Sequence, residues 1–451
     1  MSEENNRTSE KNKNLFVETS KNLMDFIGKS PSPFHVVENF ENRLSEAGFG
    51  RLEEQAEWNI ETGKSYYVTR NASSLIAFRV PEKVENFQIV AAHTDSPAFK
   101  IKEQAEINVD GHYVTLNTEK YGGMLCAPWL DRPLSIAGRV VCRRGEEIVS
   151  KNIDFDRDLV LIPSVAIHMN KDANTGFTYD AKKDMLPLLG SETLKGKWNT
   201  MVAKETGCEE EDILGTDLFL YNRVPGTFFG ADQEYISCGR LDDLQCAYAA
   251  LEALVETRCP KSVAMCALFD NEEVGSSTKQ GAASTFLADV MERIADNLSI
   301  ERQGFKQMLA GSLLLSADNA HAVHPNHTEM ADSTNRPYMN EGIVIKYNAS
   351  QKYTTDAVSA GIFKEICKKA QVPVQSYANR SDMAGGSTLG HIASQHVSIP
   401  MVDIGLAQLA MHSPYETAGV KDTWYMMQAL QRFFATGIEK VRDGIYRLDD
   451  H

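Results

Sequence analysis

Apolar runs of strand length recur along this chain, and most of them lead into an ionisable residue. Residues 87–92 are apolar apart from Gln88 and run directly into His93-Thr94-Asp95. Residues 262–269 contain Val263, Ala264, Met265, Cys266, Ala267 and Leu268 with no charge among them, and then give way to Asp270-Asn271-Glu272-Glu273. Residues 312–316 precede Asp318, and the largely apolar run 399–406 precedes His412. Runs of this length and texture predict buried strands, as do 74–80 and 342–346. Between them, 244–255 and 283–298 are spaced as helices, and 424–441 predicts a long closing helix. Residues 22–45 carry helical patches around Leu23, Met24, Phe26, Val36, Val37 and Phe40, broken near Pro31 and Pro33.

From residue 98 to 232 the pattern changes. Short alternating stretches, such as 113–116 and 136–142, are separated by Gly, Asn and Asp, which predicts antiparallel β structure. The polar segment 171–184 reads as a loop, and the charged segment 1–14 as a disordered tail. The economical arrangement is an α/β domain in two sequence pieces, 15–97 and 233–451, interrupted by a β-rich insertion at 98–232. There is no internal repeat.

Composition narrows the classes of function. A chain of 451 residues exceeds what one core usually organises, which agrees with two domains. The net charge of −16 argues against nucleic acid or an anionic membrane as the main partner. Eight cysteines form no C-x-x-C pair and several lie inside apolar runs, as expected for reduced thiols in a soluble cytoplasmic protein. No apolar run is long enough to span a bilayer.

The residues at the strand ends carry the chemistry. Open α/β sheets build their sites at the carboxyl ends of their strands. His93, Asp318 and the Glu272-Glu273 pair fall there, with His412 shortly after a fourth strand. Asp242 stands at the start of a predicted helix, where it also suits an N-cap. Each residue alone has an ordinary structural explanation. Together, imidazoles and carboxylates at corresponding ends of one sheet suit a two-metal site with a spare carboxylate. Adjacent residues at a strand end project differently, so one carboxylate of such a pair can ligate while the other stays free. His321, His324 and His327 form a second, tighter cluster, for which a structural role is favoured because Pro325 limits any helix there.

Taken in order, the motifs resemble the aspartyl aminopeptidases, the zinc metallopeptidase family that includes vacuolar aminopeptidase I. They are His93-Thr94-Asp95-Ser96-Pro97, Tyr121-Gly122-Gly123, Trp129-Leu130-Asp131-Arg132-Pro133-Leu134 and Ile162-Pro163-Ser164-Val165-Ala166-Ile167-His168. Further on come Arg240-Leu241-Asp242-Asp243, Glu272-Glu273-Val274-Gly275-Ser276, Asp318-Asn319-Ala320-His321-Ala322-Val323-His324-Pro325-Asn326, Arg380-Ser381-Asp382, Gly385-Gly386-Ser387-Thr388 and Met411-His412-Ser413. The resemblance implies a mixed-sheet α/β zinc-peptidase domain whose insertion mediates dimerisation. It also implies two Zn²⁺ per subunit, with Co²⁺ or Mn²⁺ as possible substitutes. Asp242 would bridge the metals, His93 and Asp318 would complete one, and Glu273 and His412 the other. Glu272 would be the general base acting on a metal-bridging water, and Asp95 would orient His93.

The same likeness gives Lys346 and Tyr353 the preference for an N-terminal Asp or Glu on the peptide substrate. It has His168 reach into a neighbouring subunit of a homo-oligomer, a dodecamer built from dimers. Met124 stands where many relatives have a third glycine. The alternatives are the same scaffold with broad or neutral specificity, a related two-metal deacylase or carboxypeptidase, and a non-catalytic oligomeric cargo or scaffold protein. The presence of every proposed ligand and of the base argues against the last.

Overall fold

The computed structural model describes residues 2–258, 260–386 and 388–449, with side chains from residue 13 onward. Ser387, named above, and Cys259, one of the eight cysteines, lie outside the described residues.

A nine-stranded mixed sheet organises the larger part of the molecule. Its strands, in spatial order, are Gly50–Leu52, Ser65–Arg70, Ser74–Arg79, Val263–Phe269, Phe87–His93, Leu313–Ala317, Met401–Gly405, Ile343–Tyr347 and Val374–Ala378. The four central strands, from Val263–Phe269 to Met401–Gly405, run parallel. Their alternate side chains enter two separate cores: Val263, Met265, Ala267 and Phe269 face one, and Ala264, Cys266 and Leu268 face the other. That explains the absence of polar alternation in these strands, since a parallel strand covered on both faces has no solvent side. Helices Leu241–Glu256 and Asp422–Ala435 cover one face, and Phe286–Asn297 and Arg302–Gly311 the other.

Residues 98–222 build a second, six-stranded sheet around its own core, with Phe99, Trp129, Ile136 and Leu218 among the buried residues. All neighbouring strands in it are antiparallel. Residues 171–184 form turns and bends, and the seven described cysteines are free thiols.

Three features depart from the sequence-based expectations. The first helix spans Ser2–Gly28, so the backbone is helical through most of the segment expected as a tail. Phe16, Leu23 and Ile27 pack this helix onto the body of the protein, and extending an anchored helix is far easier than nucleating one. The closing helix ends at Ala435, and beyond it Gly437–Arg442 forms a hairpin with Ile445–Asp449. Gly437 breaks the helical run, and Asp443-Gly444 supplies a tight turn, with Gly444 at φ +75°. The third departure is a five-stranded sheet, in the order Thr227–Phe229, Tyr235–Cys238, Glu416–Gly419, Ala407–Leu409 and Ala320–His321. Its strands have two to four residues, too few to leave a periodic signal.

Candidate metal centre

Strand register brings the first residues together. Phe269 lies opposite His93, so the chain leaves both strands at the same level and Glu272 and Glu273 emerge beside the imidazole. Asp318 follows the next strand, one residue beyond Ala317. Asp242 arrives from the start of the helix Leu241–Glu256, and His412 from the loop between two strands of the small sheet.

Asp242 is at the middle. Its side chain is 3 % exposed, with His93 Nε2 3.5 Å from one carboxylate oxygen and His412 Nε2 3.4 Å from the other. Two groups of possible ligand atoms share it. His93, Asp242 and Glu273 form one, and Asp242, Asp243 and Asp318 the other, with the atoms in each group within 4.8 Å of one another. His412 Nε2 also lies 3.5 Å from Glu273 Oε2.

The other ring nitrogen of each histidine is engaged. His93 Nδ1 is 3.0 Å from the carbonyl oxygen of Asp95, and His412 Nδ1 is 2.7 Å from that of Gly123. A carbonyl only accepts, so each Nδ1 carries a proton and Nε2 is the nitrogen left to face the carboxylates, as a donor when the ring is protonated and as a metal ligand when it is neutral.

Asp95 holds more than His93. Its Oδ1 accepts the backbone N–H of Glu272 at 3.1 Å, and its Oδ2 accepts that of Glu273 at 3.2 Å and the Tyr121 hydroxyl at 2.7 Å. Tyr121 in turn accepts a hydrogen bond from Asn271 at 2.8 Å. Close approach to this network explains the glycine after Tyr121: a Cβ on Gly122 would lie 3.1 Å from Glu273 Cβ, on a backbone at φ +79°.

The electrostatics show an excess of buried negative charge. Burial pushes Glu273 and Asp243 well above the ordinary carboxylate range, and nearby carboxylates add to the effect. Burial also raises Glu272 to about 7, where His93 pulls it down and Asp318, Asp95 and Asp242 push it up. Asp242 behaves oppositely: burial opposes its ionisation, but the neighbouring His412 and His93 imidazoles outweigh it and hold the group low. Burial likewise opposes protonation of His412, yet Asp242 and Glu273 raise it to about 10. Asp242 Oδ1 and Glu273 Oε1 are buried without a hydrogen-bond partner among the described residues. Hard oxygen and imidazole donors, crowded and short of positive charge, fit divalent zinc.

The remaining candidates divide. Lys346 is buried, with Nζ 2.7 Å from the carbonyl of Asn319 and 3.4 Å from Asp318 Oδ2, and the Tyr353 ring centre lies 5.6 Å from Nζ. His168 is exposed in the segment 163–169 and takes no part in these contacts within one chain. His321 sits in a two-residue strand rather than a helix, and the two ligand groups include none of His321, His324 and His327. Sequence reasoning gave no role to Asp243, whose Oδ2 accepts the backbone N–H of His93 at 3.1 Å, or to Glu416. The Asp-Asp doublet was the available signal for Asp243; Glu416 had none.

Known proteins point to one family. Residues 26–434 match the family model described as aminopeptidase I zinc metalloprotease (M18). A probable M18 family aminopeptidase 2 from Clostridium novyi is 46 % identical over 422 residues, covering 91 % of this chain and 97 % of its own length. Among solved structures, a chain of the Ape4 and Nbr1 complex superposes with a TM-score of 0.89 at 34 % identity, covering 92 % of this chain and 85 % of that one. The S. cerevesiae mApe1 dodecamer gives 0.82 at 27 % identity, covering 93 % of this chain and 97 % of that one.

Proposed function

The chain belongs to the aminopeptidase I zinc metalloprotease (M18) family, and we propose that it is a co-catalytic two-zinc aminopeptidase that removes N-terminal Asp or Glu from peptides. The observation that carries this reading is the Asp242 carboxylate, shared between two sets of ligand atoms with Glu272 uncommitted beside them. Asp242 would bridge the ions, with His93 and Asp318 on one and Glu273 and His412 on the other. Zinc held there supplies Lewis acidity toward the scissile carbonyl and toward the water that attacks it.

Glu272 does the proton work. A carboxyl poised near neutrality accepts the water's proton and later delivers it to the leaving amine. Asp95 fixes where Glu272 stands, through the backbone N–H of that residue, and orients His93. The buried Lys346 ammonium with Tyr353 beside it selects the carboxylate of the substrate's first side chain. Residues 98–232 act as the dimerisation insertion, through which His168 serves a neighbouring subunit in a cytoplasmic homo-oligomer. A dodecamer built from dimers is the assembly we infer. No helix among the described residues is long and apolar enough to cross a membrane.

A panel of aminoacyl chromogenic substrates tests both parts. Hydrolysis confined to Asp and Glu, abolished by chelation and restored by Zn²⁺, Co²⁺ or Mn²⁺, is expected. Equal rates on Leu and Ala substrates would overturn the acidic preference, and full activity in the metal-stripped protein would overturn the metal mechanism.

A further inference from the structure

Glu416 is the first residue of the strand Glu416–Gly419 and lies opposite Cys238 in the small sheet. It is 1 % exposed. Its two carboxylate oxygens are spent on backbone rather than on side chains. Oε1 accepts the N–H of His412 at 2.8 Å, and Oε2 accepts the N–H of Asp242 at 3.0 Å. These residues are 170 positions apart in sequence, and both aim side chains at the same point.

The backbone at His412 and just ahead of Asp242 is unfavourable on its own. His412 has φ +67° and Ala410 φ +56°, and Arg240, two residues before Asp242, has φ +57°. Residues with a Cβ avoid this region unless their surroundings hold them there. Two hydrogen bonds accepted by one buried carboxyl group provide such a hold, and they tie the two segments to each other.

We propose that Glu416 is a positioning residue: its carboxylate sets the spacing between Asp242 and His412 and thereby the zinc affinity of the centre. This rests on the two-zinc reading above. Neither hydrogen bond involves the imidazole or the Asp242 carboxylate, so Glu416 acts through the main chain and leaves the ligand atoms free. Glutamine in its place could accept one N–H but would turn its own NH₂ toward the other, so Glu416→Gln separates the two segments with little change in volume.

The test is zinc affinity of the metal-stripped, full-length protein, measured by competition with a chromogenic chelator. Glu416→Gln is expected to bind zinc ~10- to 100-fold more weakly, the usual cost of removing a group that orients metal ligands. At saturating zinc, KM should stay near the wild-type value. Glu416→Asp keeps both acceptor oxygens on a stem one methylene shorter and should fall between the two, which gives a second reading should the glutamine variant fail to fold. Ser237→Ala is the control, because Ser237 bonds to Thr417 at 2.7 Å across the same two strands without reaching a ligand. It should weaken the sheet and leave zinc affinity unchanged.

Weakened binding in both Glu416 variants, with Ser237→Ala like wild type, supports the proposal. Wild-type affinity in a folded Glu416→Gln protein, alongside weakened binding in His412→Ala, overturns it while sparing the two-zinc reading. Unchanged affinity in both Glu416→Gln and His412→Ala overturns that reading and the proposal with it.

Discussion

His93 and His412 present Nε2 to the same carboxylate, at 3.5 and 3.4 Å, yet the protein holds them in different ways. His93 is the last residue of a strand that is buried throughout, its side chain 1 % exposed, and the group fixing its Nδ1 lies two residues further along the chain. His412 sits in a loop of the small sheet with its side chain 31 % exposed. Its Nδ1 is fixed by Gly123, 289 residues away, its N–H by Glu416, and its carbonyl by the N–H of Leu125. One imidazole is therefore positioned by a continuous core, the other by a few hydrogen bonds, of which those to Gly123 and Leu125 span most of the chain. A site can combine the two because a sheet end gives rigidity, while a tethered loop allows a ligand to arrive from the opposite side.

The largest effect expected is on the side organised by the sheet. Glu272 hangs from Asp95 beside His93, and Glu272→Gln should retain zinc while losing about 100-fold or more in kcat. Metal analysis of the purified variant beside its kinetics checks this, and a variant that turns over normally with zinc bound would remove Glu272 from the mechanism. Asp95→Asn should follow, losing ~10- to 100-fold in activity, because an amide cannot accept all the N–H and O–H groups that converge on this carboxylate.

The imidazoles themselves should separate in stability. His93→Ala empties a fully buried position and should cost about 1–3 kcal/mol in denaturant unfolding of the stripped protein. His412→Ala should cost under about 1 kcal/mol, because that ring is partly exposed. Equal losses would mean that the two sides are equally integral to the core.

Proton linkage sharpens the same contrast. In the stripped protein His412 titrates near 10, so at neutral pH its proton must leave before Nε2 can ligate. Zinc affinity should therefore rise with pH up to about 10, by up to ~10-fold per unit from this group alone. Calorimetry in buffers of different ionisation enthalpy counts the protons released, and His412→Ala should release about one fewer. A loss of stability between those of the two histidine variants is expected at the segment lying over His412. Gly122→Ala places a Cβ against Glu273 on a left-handed backbone and should cost about 1–2 kcal/mol, read as a shifted unfolding midpoint.

Much of the sheet-held side was legible beforehand. Three of the four central strands stand out because burial on both faces keeps Asp, Glu, Lys and Arg out of them, Asp403 being the exception in the fourth, and the ionisable residues that follow are then conspicuous. His93, Glu272, Glu273 and Asp318 were found that way. The tethered side left less to read. His412 was named on a weaker position after a strand and on family likeness, and the small sheet was missed because strands of two to four residues have no measurable period. Glu416 gave no warning, since an acid two residues after a proline looks like surface. The closing helix was drawn too long because 436–441 continues an apolar pattern that serves equally well as one arm of a hairpin.

Sequence by itself determined which residue types stand at the ends of buried runs, and so the chemistry the chain has at its disposal. Burial acts on local composition, and local composition can be read directly. Tertiary structure alone decided which atoms meet: the register that sets Phe269 opposite His93, the pairing that sets Glu416 opposite Cys238, and the carbonyl of Gly123 lying against His412. Those contacts join positions more than a hundred residues apart. Their geometry depends on the packing of whole sheets against one another, which no stretch of neighbouring residues encodes.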